Sequence, residues 1–200
     1  LSARPTPAAD IIASRRTLSA DQRGSNAPLV VVGLAAIALA VHSAQYNFIC
    51  DDAYISFRYA YNFANHGALT FNLGDRVEGY TNFLWTVLLG VLLKCGIAPE
   101  IAAKFLGPTF GAAGLFLLYA LTRAWRGGNA TAWDVLGPCV LAACAGFSVW
   151  CSGGLETQLF TALTLGGIAL YVAEHARAAR WRLSGLVFAL AALARPEGLL

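Results

Sequence analysis

Two adjacent carboxylates, Asp51 and Asp52, follow directly on an uncharged and mostly apolar stretch, Pro28 to Phe48, long enough to cross a bilayer. An aspartate pair at a membrane boundary, with arginines nearby, is well placed to supply a general base. The same pair also suits a helix start. Asp51 reads as an N-cap, both charges complement the helix dipole, and Tyr54 and Arg58 share a face four residues apart. Further on, Asn72 and Gly74 carry turn chemistry, and Arg76 and Glu78 alternate onto one side of an extended segment. They form a loop ion pair, or Arg76 grips a phosphate, whose oxygens a guanidinium matches in bidentate fashion. Glu156, in Gly153-Gly154-Leu155-Glu156-Thr157, opens a later apolar run, where the helix dipole favours it in any case. Arg195-Pro196-Glu197-Gly198 stands where another apolar run ends, and snorkelling accounts for Arg195 as well as ligand binding does. Trp85 and Tyr80 are candidates to stack on a sugar or to anchor the chain at the interface.

The elements that must position these groups are apolar. Of 200 residues, 58% are hydrophobic and 12% charged, about half the charged share of a soluble domain, which indicates an all-α, polytopic membrane protein. A net charge of +3, spread over short loops, excludes a nucleic-acid groove and fits membrane orientation. The five cysteines (Cys50, Cys95, Cys139, Cys144, Cys151) match no zinc spacing; a Cys50–Cys151 disulfide is geometrically open but not favoured. Residues 1–27, rich in Ala, Ser, Pro and Arg, read as a disordered cytoplasmic tail, and 28–200 as a membrane domain with an extracytoplasmic loop over about 50–100. A first residue that is leucine, no methionine anywhere, and an apolar run beginning at Gly198-Leu199-Leu200 lead us to expect a piece of a longer chain.

After Pro28–Phe48, candidate spans run over Phe105–Thr122, Val135–Trp150, Thr157–Ala173 and Leu183–Ala194, the last short and ended or kinked by Pro196. Phe83–Leu93 is too short to join them. If it stays on the outer surface, Arg4, Arg15, Arg16, Arg23, Arg123, Arg126, Arg177, Arg180 and Arg182 fall inside. Arg58, Arg76, Lys94, Lys104 and Arg195 are then outside, nine of the fourteen basic residues against five. If it spans, the split is seven to seven. The positive-inside tendency selects the first arrangement, which also gathers Asp51, Asp52, Asp75, Glu78, Glu156 and Glu197 on one face. Trp133, Trp150 and Trp181 then sit at span ends, as an aromatic belt predicts.

In order, DDAYISFRYAYNFANHGALTFNLGDRVEGYTNFLW, GGLETQLF and ARPEG resemble the membrane-embedded GT-C glycosyltransferases that use polyprenyl-phosphate sugars. The likeness runs from about Asn47 to Leu200 and lies nearest the bacterial arabinofuranosyltransferase-like branch, related to protein mannosyltransferases and lipid A aminoarabinose transferases. The resemblance implies the N-terminal part of a GT-C fold, with Asp51 or Asp52 as general base and helices on the membrane surface in the first outer loop. It implies that Arg58, Arg76 and Arg195 grip the lipid phosphate and that Glu78, Glu156 and Glu197 help position sugar or acceptor. The chain departs from the family pattern by ending early, without the further spans and C-terminal domain of relatives.

The expected activity is therefore inverting transfer of arabinofuranose or a hexose from a polyprenyl-phosphate donor to a glycan or lipid acceptor, at a bacterial plasma membrane. No cofactor is demanded, although two adjacent aspartates offer oxygen ligands to a divalent cation. The alternative is a lipid-linked-sugar flippase, which binds the same ligand without chemistry. Transporters place ionisable groups at the midplane and carry paired repeats, whereas here the charges lie at the edges. A non-catalytic assembly subunit is a third reading, in which the aspartates tolerate substitution.

Overall fold

A computed structural model describes residues 26–75, 77–126, 131–176 and 182–199. Most of the expected tail lies outside these residues, as do Arg76, Arg177, Arg180 and Trp181. The described residues are helical, with no strand among them.

The first helix, α1 (Ala27–Tyr46), begins with Pro28 in its first turn and ends at Asn47 in a left-handed conformation. Two shorter helices follow, α2 (Asp51–His66) and α3 (Phe83–Lys94), joined by a loop without regular structure. Next comes the 27-residue α4 (Pro99–Trp125), about 40 Å long at helical rise. A 3-10 turn at Ala132–Val135 leads into α5 (Leu136–Ala143) and α6 (Ala145–Ser152), then α7 (Thr157–Ala176) and α8 (Leu183–Ala194).

Helices α1, α4 and α7 are long and apolar enough to cross a membrane, and the α5–α6 pair adds a fourth crossing if it counts as one span. The expected span Leu183–Ala194 is a helix of 12 residues, about 18 Å, too short to cross by itself. Helix α4 exceeds the expected Phe105–Thr122 because its first turns carry Glu100 and Lys104, which lower hydropathy without breaking the helix. The expected Val135–Trp150 span is broken: α5 and α6 meet at 60°. Cys144 between them is extended, with φ −70° and ψ 115°. With 12 residues, α3 reaches about 18 Å, well short of the roughly 30 Å of hydrocarbon.

Tertiary contacts fix the direction of each helix. Lys104, near the start of α4, donates to the Asn47 side chain at the end of α1 (2.6 Å). At that same end, Gly107 lies against the Cys151 backbone so closely that a Cβ would collide with the Cys151 carbonyl oxygen. At the other end of α4, Arg126 pairs with the fully buried Asp134 at 3.0 Å. Glu174, closing α7, accepts the Ser184 backbone N–H (3.0 Å) and hydroxyl (2.6 Å), which fixes the start of α8. Helix α3 thus starts and ends on one side of the bundle, and the polar loops after α1, α6 and α8 gather there.

Two apolar cores hold this arrangement. One joins α2, α3, α4, α7 and α8 through Ala53, Phe57, Trp85, Leu89, Ala103, Leu159 and Ala194. The other joins α1, α4, α5 and α6 through Val32, Leu39, Leu115, Tyr119, Ala142 and Cys151. Cys50 and Cys151 are free thiols, so no disulfide links them.

Candidate functional site

The site is built where α2, the start of α3, the α6–α7 turn and the end of α8 converge. Asp51 is not the N-cap of α2. That position is Cys50, with extended φ and ψ, so both aspartates lie in the first turn. The Cys50 N–H donates to the Gly153 carbonyl (2.9 Å), tying the start of α2 to the α6–α7 turn. Gly154 in that turn has φ +86°, and a Cβ there would press on Ala53 at 3.0 Å, so the close approach needs glycine. Its carbonyl accepts the indole N–H of Trp85 (3.1 Å). Trp85 is 1% exposed and so belongs to the core, not to a sugar-stacking surface.

Asn82, immediately before α3, is the hub of a buried polar network. Its amide donates to Glu156 Oε2 (2.8 Å) and to Ser56 Oγ (2.9 Å). Its carbonyl oxygen accepts from the Ser56 and Thr86 hydroxyls (3.2 and 3.1 Å). Glu156 is itself buried, and its backbone carbonyl accepts the Phe160 N–H, which opens α7. Its other carboxylate oxygen faces Arg195 Nε at 3.5 Å, and Arg195 Nη2 lies 3.5 Å from Glu197. The Arg195 guanidinium also lies over the Phe160 ring, 5.8 Å from its centroid.

Above this network opens a cavity of about 240 Å³, lined by Asp52, Ile55, Ser56, Gly79, Tyr80, Thr81, Asn82, Leu155, Glu156 and Arg195. Four of the sequence-derived candidates, Asp52, Tyr80, Glu156 and Arg195, therefore wall one cavity, and Glu197 adjoins it through Arg195. Asp51 is exposed on the same turn and does not line it. Burial pushes the Tyr80 phenol above its usual range, with Glu78 and Tyr59 adding to the shift. It therefore stays a neutral hydrogen-bonding group at physiological pH.

The other candidates lie elsewhere. Arg58 is exposed and donates Nε to the Phe71 carbonyl (3.1 Å), so it braces the α2–α3 loop rather than the cavity. Asn62 holds the same loop through the Thr70 and Phe71 carbonyls, and Tyr59 through the Val77 carbonyl. Glu78 is exposed beside a second hollow lined by Gly67, Thr70, Val77 and Phe83. Arg76 lies outside the described residues. Asn82 and Ser56 have no local sequence signal, since the partners that bury them come from 26 and 74 residues away, and Thr86 joins them only through Asn82, four residues before it. Among the described residues, no three His, Cys, Asp or Glu side chains converge as a metal-binding group. In comparisons with known proteins, no family model, curated protein or solved structure matches the chain.

Proposed function

We propose that this chain belongs to a membrane glycosyltransferase that moves arabinofuranose or a hexose from a polyprenyl-phosphate donor to a hydroxyl of an envelope glycan or lipid. The reaction is placed at the extracytoplasmic face of a bacterial plasma membrane. One observation carries this reading: Asp52, Glu156 and Arg195 wall a single polar cavity at the end of the apolar helices where α1 emerges.

In this reading Asp52 takes the proton of the acceptor hydroxyl as its oxygen attacks the anomeric carbon. The bond from that carbon to the donor phosphate breaks, and the phosphate leaves with the electron pair, so the anomeric configuration inverts. The two ion pairs of Arg195 use Nε and Nη2, which leaves Nη1 to face a phosphate oxygen as its charge grows. Carboxylates outnumber the arginine here, so the cavity itself suits the uncharged hydroxyl-rich sugar and the phosphate belongs at its rim. Arg76 is the other candidate to hold it. Arg58, whose Nε braces the Phe71 carbonyl, does not line the cavity and is not assigned this role.

The test uses membranes containing the protein and a radiolabelled polyprenyl-phosphate pentose. The expected result is a labelled acceptor formed together with an equal amount of free polyprenyl phosphate. Movement of intact donor between leaflets without cleavage contradicts transfer and favours transport.

A further inference from the structure

A third hollow, of about 360 Å³, lies between the end of α1 and the start of α4, and it shares no lining residue with the Asp52 cavity. Its volume falls within the roughly 300–1,000 Å³ of small-molecule sites. Three hydroxyls line it, and each is spent on a carbonyl of its own helix. Ser43 donates to Ala40 (3.0 Å), Thr109 to Phe105 (2.7 Å) and Ser152 to Val149 (3.0 Å). These hydroxyls therefore offer no donor to whatever enters, and away from Asn47 and Lys104 the wall is mainly hydrocarbon. Phe105, 72% exposed, extends that apolar surface outward.

At the mouth stands one cation. Lys104 is exposed, and its one polar contact among the described residues is the neutral Asn47 oxygen, at 2.6 Å. An ammonium carries three N–H donors, so two remain. Among the described residues no carboxylate lies within ion-pair distance, and Glu100, one turn earlier on α4, is the nearest in sequence. An apolar trough between two apolar helices, capped by a cation with two free N–H donors and no ion pair among the described residues, is complementary to an amphiphile with a negative head. We propose that this groove binds one phospholipid of net negative charge, an acyl chain lying between α1 and α4 and the phosphate against Lys104 Nζ. This site is independent of the sugar-transfer reading, so either can fail alone.

Native mass spectrometry of the whole chain in detergent, with equal dioleoyl phosphatidylglycerol and dioleoyl phosphatidylcholine, tests it. The expected result is one retained lipid with a preference of roughly fivefold for phosphatidylglycerol, the size one juxtamembrane lysine contributes toward an anionic surface. Lys104→Gln should reduce phosphatidylglycerol to the level of phosphatidylcholine, and Ala44→Phe, which fills the trough, should reduce both. Equal retention of the two lipids by the wild type, or a preference that survives Lys104→Gln, overturns the proposal. So does displacement of the lipid by millimolar glycerol 3-phosphate, which would assign the lysine to free phosphate. If Lys104→Gln does not fold, the wild type decides: selectivity lost at high salt supports the site, and selectivity unchanged by salt overturns it.

Discussion

Asn82 donates both amide hydrogens, one to Glu156 and one to Ser56, so its removal leaves a buried carboxylate oxygen without a donor. Asn82→Ala is expected to cost about 1–3 kcal/mol, the penalty of a buried polar group left unsatisfied. Denaturant titration of the micelle-bound protein measures it, and a variant as stable as wild type refutes the network. At this scale the sequence was informative about residue type and silent about partners. The carboxylates and arginine of the cavity stand out because charge is scarce in so apolar a chain. Two adjacent aspartates differ by about 100° around a helix, and only packing of α2 against the Gly153-Gly154 turn decides that Asp52 enters the cavity. Asn82 carries no such mark, because a polar residue before a helix reads as an ordinary cap; here it makes no side-chain cap bond and turns inward.

At the scale of elements, the contact between α4 and α6 depends on Gly107, whose missing Cβ admits the Cys151 carbonyl. Gly107→Ala is expected to destabilise by about 1–3 kcal/mol, as forced overpacking does. Gly33→Ala in α1, where an added Cβ meets nothing within 4 Å, should be neutral or stabilise by about 0.5–1 kcal/mol. Thermal unfolding of the two variants side by side checks this, and equal losses contradict the packing. Helices α1 and α7 were legible because uncharged runs of the right length leave few alternatives. Helix α8, an apolar run closed by Pro196, was legible as a helix but at 12 residues is as short as α3. The early start of α4 was hidden by Glu100 and Lys104, which a hydropathy reading assigns to a loop. The break at Cys144 was hidden for the opposite reason: its neighbours are apolar and small, and no Pro or charge marks the bend.

At the scale of the molecule, polar loops meet at one end: Trp85 near the start of α3 bonds Gly154, and α3 at 12 residues is too short to span the hydrocarbon by itself. The nine-to-five split of basic residues led to the same grouping of loops from the sequence, and the Lys104–Asn47 and Trp85–Gly154 contacts hold the loops after α1 and α6 together. The side of the membrane they face is a prediction. Single cysteines placed at Asp75, Trp125 and Arg182 in a background without native cysteines should react with an impermeant maleimide from outside only at position 75. Labelling at 125 or 182 contradicts the orientation. The account as a whole turns on Asp52 as the base that activates an acceptor at the cavity. The most direct measurement compares sugar transfer by Asp52→Asn and Asp51→Asn in membranes containing equal amounts of each variant. Loss of the base should slow Asp52→Asn by about 10²–10⁴-fold while Asp51→Asn stays within a few-fold of wild type. Transfer by Asp52→Asn at the wild-type rate would contradict the assignment.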